Sequence, residues 1–402
     1  AFGSYEERPQ QVEMALRVAA ALAGGEVLVV EAGTGTGKSL AYLVPAVLWA
    51  TSRRERVAVS THTINLQDQL WQKDIPFLQE NLGVPFKASI VKGRANYLCP
   101  PRARAFEERA LGRLDAAERR FAARLAAWRQ ATATGDREEM GLAPWEEALW
   151  GEVSATSEGC RPSSCPDQGE CFLARARKAA QEADLVVANH ALLRAGVAAG
   201  GGVLPELSAV VLDEAHHLEA VATEQTGLRV SRRDLEACLA AAEALSGRSP
   251  RIHLEARRAR EAFSGLLKAV AGIAEGEVGG DGEEVISLRL RPSTARHPLW
   301  GEARLRAETV TLSLKAISSL LTETTPTSRG EGLDLEARSA ECSRLAAALE
   351  EIVGSIEEAG GERATVRWVE FGGPGAGSPA LRSALLNPGE WLLENLWTQL
   401  GC

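Results

Sequence analysis

Seven cysteines among 402 residues are too few and too unevenly placed to build a disulfide framework. Long apolar runs are also missing. The longest, "LAYLVPAVLWA" (Leu40–Ala50), falls well short of the roughly 18–20 residues that cross a bilayer. The opening "AFGSYEERPQ" has neither the basic start nor the apolar stretch of a secretion signal. A cytoplasmic protein without membrane segments is therefore expected. Positive charge is in deficit, with 45 Lys and Arg against 54 Asp and Glu, for a net of −9. That balance excludes indiscriminate binding to polyanions but leaves room for a local basic track. No internal repeat stands out. The chain opens on Ala1 rather than Met and reads as a piece of something longer.

The length suits two or three domains, and 45% hydrophobic with 25% charged residues is the composition of an ordinary globular protein. Short β-branched runs recur: "VLVVE" (Val27–Glu31), "RVAVS" (Arg56–Ser60), "ASIV" (Ala88–Val91), "DLVVAN" (Asp184–Asn189) and "AVVLD" (Ala209–Asp213). Helical pattern separates them, as at Ile64–Leu70. Buried strands alternating with helices indicate an α/β domain with a parallel sheet covered on both faces. Two segments break the rhythm. Arg102–Gln130 is Ala/Arg-rich and helical, and Ser231 to about Gly360 is mostly long helical pattern, with a Gly/Glu loop at Ala274–Glu284 and a strand "VISLRL". Both read as insertions, after which "ATVRWVEF" (Ala364–Phe371) and the helix near Glu390–Leu400, with the Gly/Pro loop "GGPGAGSP" between them, are expected to return to the α/β domain. Between Lys92 and Arg129 ten Lys/Arg stand against four acids, a local basic track or a solvated helical face.

"EAGTGTGKSL" (Glu31–Leu40) follows a predicted strand and opens a predicted helix, the context of a phosphate-binding loop. Glycines let backbone N–H groups turn toward phosphate oxygens, and the helix N-terminus favours the anion. Lys38 would reach the β- and γ-phosphates and Ser39 would ligate Mg²⁺, with Ala32 replacing the first glycine of the pattern. "AVVLDEAHHLE" supplies the acids such a loop needs at the end of a neighbouring strand. Asp213 is expected in the Mg²⁺ shell and Glu214 at the attacking water. His216 and His217 either couple the nucleotide to nucleic acid or merely sit on the following helix.

The quartet Asp213-Glu214-Ala215-His216 with "AGTGTGKS" resembles the DEAH-type superfamily 2 helicases. "RPQQVEM" (Arg8–Met14), "STHTINLQDQL" (Ser60–Leu70), "VKGRANYLC" (Val91–Cys99) and "LVVANHALL" (Leu185–Leu193) narrow the resemblance to the DinG/XPD iron–sulfur family. It is strong through Glu219 and rests on pattern alone from about Ser231 to Gly360. It implies a RecA-like P-loop domain interrupted by an iron–sulfur domain and a mostly helical arch. The expected divisions are 1–98 for the first part of the helicase domain, 99–181 for the iron–sulfur domain, 182–230 for the DEAH part, 231–363 for the arch and 364–402 for the return. The nucleotide site would comprise Gln11, Ala32, Gly33, Thr34, Gly35, Thr36, Gly37, Lys38 and Ser39, with Lys38, Asp213, Glu214 and His216 catalytic. Thr61, His62, Thr63, Arg94, Asn189 and His190 would contact DNA.

Cys99, Cys160, Cys165 and Cys171 are spaced C-x60-C-x4-C-x5-C. Four thiolates suit a 4Fe–4S cluster or a structural Zn²⁺ by count, but the gaps do not give the two short pairs usual for zinc. The resemblance assigns them to 4Fe–4S. Cys238 and Cys342 read as buried small residues. The function implied is a monomeric ATP-dependent 5′→3′ DNA helicase of repair or replication, using ATP, Mg²⁺ and 4Fe–4S and acting on single-stranded DNA and duplex junctions. In relatives a second RecA-like domain with an arginine finger follows. Without it this chain would hydrolyse ATP slowly and unwind nothing. The rival expectations are a nucleotide-gated, metal-stapled single-strand-binding module without motor activity, and a P-loop ATPase acting on proteins.

Overall fold

The computed structural model describes residues 8–33, 35–112, 116–156, 160, 165, 167–198, 203–245, 249–277, 287–326, 329–354, 365–371 and 378–398. Thr34, most of the Gly/Glu loop near 280 and the Gly/Pro loop at 372–377 lie outside them. The chain divides into two units. One holds residues 1–97, 171–222 and 389–402, and the other residues 98–170 and 223–388.

In the first unit four β-branched runs form a parallel sheet: β1 (Val57–Thr61), β2 (Ala88–Ile90), β3 (Leu185–Asn189) and β4 (Ala209–Leu212), in the order β2-β3-β1-β4. Val57 lies opposite Leu185 on one side and Ala209 on the other. Leu185 and Val187 pack with Val57, Val59 and the helix Lys38–Arg53, through Leu43, Ala46, Val47 and Ala50. Val186 and Ala188 point the opposite way, into a cluster with Leu192, Leu193, Ala222 and Leu396. Both faces are covered, which is why these strands read as continuous apolar runs rather than alternating ones.

One expected strand is not there. Val27–Glu31 forms no strand, and its side chains face solvent, with Val27 70% and Val29 90% exposed. Apolarity says that a segment belongs inside but not what covers it, and no strand pairs with this one among the described residues. β4 is correspondingly an edge, with all four of its residues only half-buried.

The second unit pairs β5 (Leu228–Ser231), β6 (Ser287–Arg289), β7 (Thr365–Glu370) and β8 (Ala380–Leu385) in the order β5-β8-β7-β6. All these ladders are antiparallel. β7, expected to rejoin the parallel sheet, stays in this unit because its hydrogen bonds go to β6 and β8. Three long helices, Pro250–Glu277, Trp300–Glu323 and Arg329–Gly354, pack beside it. Their buried residues follow alternating steps of three and four: Ile252, Ala256, Ala259, Phe263, Leu266, Val270 and Ile273 on one helix, and Ala303, Ala307, Val310, Leu314, Ile317 and Leu321 on the next. That spacing makes one apolar seam per helix, the pattern of antiparallel coiled-coil packing. Cys238 and Cys342 are fully buried in this core with their sulfurs 3.3 Å apart.

The arginines of the basic track are largely committed inside this unit. Arg102, almost fully buried, meets Asp334 at 2.7 Å and the Gly151 carbonyl at 3.1 Å. Arg109 reaches Asp334 at 3.1 Å and Glu152 at 2.7 Å. Arg104 pairs with Asp167 and Glu170, Arg124 with Glu146, and Arg129 with Glu107. The track is thus chiefly an internal ion-pair lattice, since a count of sequence charge cannot see carboxylates brought from distant helices. Among the described residues no helix is long and apolar enough to cross a membrane.

Candidate nucleotide and nucleic-acid site

The loop ahead of the helix Lys38–Arg53 turns through left-handed backbone at Gly35 (φ 82) and Gly37 (φ 79). A Cβ at Gly37 would also collide with the Gln11 amide, so glycine is required there on both counts. The Gln11 Nε2 donates to the Gly37 carbonyl at 2.9 Å, and Arg8 donates to the Gly35 carbonyl at 2.9 Å. The segment that holds Gln11, expected in the nucleotide site, therefore braces the loop. Thr36 Oγ1 closes the turn on the Gly33 carbonyl at 3.0 Å, and Ala32 is half-buried.

Lys38 and Glu214, 176 positions apart, meet at 2.9 Å between Nζ and Oε1. The hydrogen bond from Lys38 holds the Glu214 carboxyl below its usual range. Asp213, fixed by a 2.8 Å bond from its N–H to the Ser60 carbonyl, is pushed the other way by burial. The Tyr42 hydroxyl donates to Asp213 Oδ2 at 3.2 Å, and burial together with that carboxylate pushes the phenol up. Ser39 lies close to both Tyr42 and the partly buried Asp74, whose carboxyl burial pushes up. Ser39 and Asp213 are thus one phenol apart and offer hard oxygen donors of the kind Mg²⁺ takes. Sequence reasoning missed Tyr42 and Asp74. Tyr42 lies three residues past Ser39, on the same helix face, and that spacing was its only signal. His216 is exposed, with Nδ1 3.5 Å from Glu214 Oε2.

The expected DNA contacts separate by burial. Thr61 is buried, and its hydroxyl donates to the Thr63 carbonyl at 3.2 Å. Thr63 is exposed and caps the helix Ile64–Gln69 by accepting from the Leu66 N–H. His190 is 1% exposed, and its Nδ1 lies 2.8 Å from the Ser60 hydroxyl. His62 is stacked on His217. Arg94 and Asn189 line a cleft of about 280 Å³ together with Lys92, Asn96 and Arg177. Lys92 is itself buried against Asp68 at 2.9 Å. Asn189 Oδ1 accepts from the Leu192 N–H at 2.8 Å, capping the helix His190–Ala198. Arg177 was not singled out from sequence; the basic helix Phe172–Gln181 carries it there. Tyr97 is buried in the core with its hydroxyl accepting from the Lys92 N–H, and the half-buried Trp128 packs edge-on to Trp150 at 6.1 Å.

Cys99, Cys160, Cys165 and Cys171 are half-buried and take part in no disulfide. Cys99 precedes the helix Pro100–Gly112 and bonds the Val153 carbonyl through its N–H, while Cys171 caps the helix Phe172–Gln181. Among the described residues no three His, Cys, Asp or Glu side chains gather around a point that could hold one metal ion.

Residues 13–97 match the family model described as DEAD/DEAH box helicase. The chain is 36% identical over 236 residues to "ATP-dependent DNA helicase YoaA" of Haemophilus influenzae, a match covering 58% of this chain and 36% of that protein. It is 43% identical over 239 residues to "ATP-dependent helicase DinG" of Mycobacterium tuberculosis, covering 54% and 35%. A match to "3'-5' exonuclease DinG" of Bacillus subtilis is 34% identical over 231 residues, covering 58% and 24%. A solved "XPD_Helicase" structure aligns at 12% identity and a TM-score of 0.49, over 99% of this chain and 57% of that one. The matches span about a third or less of the length of these curated relatives. The chain is thus similar at residues 13–97 to the DEAD/DEAH box helicase family, and the proteins it resembles include ones named as the ATP-dependent helicases DinG and YoaA.

Proposed function

We propose that this chain is the nucleotide-binding motor segment of a DinG/XPD-like DNA helicase that moves 5′→3′ on single-stranded DNA. The Lys38–Glu214 contact carries the reading, because it brings the phosphate loop and the Asp-Glu pair together across 176 positions. A phosphate arriving at the loop would take over the Lys38 ammonium and release Glu214. The freed carboxylate would then orient and deprotonate the attacking water. Ser39 and Asp213 would hold Mg²⁺, which neutralises charge on the phosphates. Burial raises the proton affinity of Asp213, so a divalent cation would satisfy a carboxylate that otherwise favours a proton. Arg94, Arg177 and Asn189 around the 280 Å³ cleft suit a nucleic-acid backbone beside an apolar wall.

The test is binding of a fluorescent ADP analogue with Mg²⁺, followed by turnover of ATP with single-stranded DNA. Glu214→Gln should keep nucleotide affinity within about twofold and lower turnover by about 10²-fold or more, as loss of a general base does. Lys38→Ala should lose affinity itself. Equal turnover in Glu214→Gln and the parent would refute the assignment. The 4Fe–4S assignment of Cys99, Cys160, Cys165 and Cys171 is supported by donor chemistry and sequence spacing, and no step here runs through it. Anaerobically purified protein free of iron and acid-labile sulfide would remove it.

A further inference from the structure

Three neighbouring strands of the parallel sheet, β3, β1 and β4, run in one direction, and a histidine follows the end of each. His190 comes directly after Asn189, His62 directly after Thr61, and His217 in the turn after Leu212. With His216, four of the chain's six histidines stand at one edge of one sheet. Their rings touch in sequence. His62 and His217 are stacked, with centroids 3.8 Å apart and planes 16° from parallel. His216 lies 4.0 Å from His217, and His190 6.4 Å from His62. His190 is locked by the Ser60 hydroxyl, and the backbone of Asp213 and Glu214 runs beside its ring.

The stack joins two segments that the sheet alone leaves independent beyond β1 and β4. On one side is the turn Thr61–Thr63, with the exposed Thr63. On the other is the Asp213–Glu214 loop, where Glu214 holds a left-handed backbone (φ 57) that a residue with a Cβ adopts only when its surroundings impose it. Loss of hydration, with His62 and His216 alongside, holds the His217 imidazole below its usual range, while Glu214 opposes that shift. Neutral rings can stack face to face where two imidazolium ions would repel. The His62 Nδ1 is buried and finds no hydrogen-bond partner among the described residues, so the ring face is its main engagement.

We propose that the His62–His217 stack is the positioning contact through which single-stranded nucleic acid at the Thr61–Thr63 turn changes nucleotide affinity at the Lys38–Glu214 site. The proposal rests on the function given above. A stack that only filled space would, when removed, alter stability and leave the linkage between ligands untouched. A stack that transmits would do the reverse.

The test uses the full 402-residue chain, a fluorescent ADP analogue with Mg²⁺, and a 20-nucleotide oligo-dT. In the parent chain, saturating oligo-dT should change the affinity for the analogue by about fivefold, and the analogue should change oligo-dT affinity by the same factor. His217→Ala should bind each ligand alone within about twofold of the parent, but its linkage factor should fall to about one. His217→Phe, which restores a stacking face without an imidazole, should recover most of it. Equal linkage in His217→Ala and the parent overturns the proposal, as does a parent with no linkage. A parent that binds neither ligand overturns the functional assignment along with it, so the two failures are told apart. Circular dichroism melts of both variants show whether any loss is merely one of folding.

Discussion

His190 illustrates how a single buried side chain couples this site to solution conditions. Burial lowers its pKa to about 4, against an ordinary value of 6.5. The folded chain therefore keeps this ring neutral where the unfolded chain would protonate it. The neutral ring costs nothing above pH 6.5, and stability is lost as pH falls from there toward 4. The full loss is about 3 kcal/mol at most. Thermal unfolding at pH 7 and pH 5 should show a drop in midpoint that His190→Gln reduces. An unchanged pH dependence in that variant would discount the role. Residues of this kind were legible in type but not in task. The "NHALL" stretch marked His190 for nucleic acid, whereas the fold turns it inward onto Ser60. Conversely the turns that bring Lys38 to Glu214 could be located from short motifs, because each motif defines its own backbone turn and needs no distant partner to be recognised.

At the level of elements, β1 to β4 could be read because burial on both faces writes itself as unbroken β-branched runs. β5 and β8 could not. Their pairing sets Leu228 opposite Ser383 and Arg229 opposite Arg382, a match made across more than 150 positions and unmarked by local composition. The long helices were readable from their periodicity. What they hold was not, since Asp334 becomes meaningful only when the helix Arg329–Gly354 brings it to Arg102 and Arg109. Removing this carboxylate would leave a nearly fully buried guanidinium with only carbonyl partners. Asp334→Ala should therefore destabilise the second unit by about 3 kcal/mol or more, read as a shift in urea midpoint. Asp334→Asn, which keeps one acceptor for Arg102, should cost less. A loss below 1 kcal/mol for Asp334→Ala would show that these arginines find water instead.

Considered whole, the molecule has a parallel sheet in one unit and a helical, ion-pair-laced body in the other, each with its own apolar core. The feature with the widest practical consequence is the uncovered run Val27–Val30, in a unit whose sheet ends on the half-buried β4. Unpaired backbone on an edge, together with a bare β-branched segment, is a template for joining one chain to the next. The net charge of −9 opposes such contact, and salt screens that opposition. In solution the chain should therefore scatter more light as it is concentrated, and more still at 0.5 M than at 0.05 M salt. Val29→Lys should suppress both trends without weakening nucleotide binding, whereas identical scattering from that variant would place the stickiness elsewhere. The handling of the purified protein, its shelf life and the salt in its buffer would then be governed by four residues that lie outside the chemistry of the site.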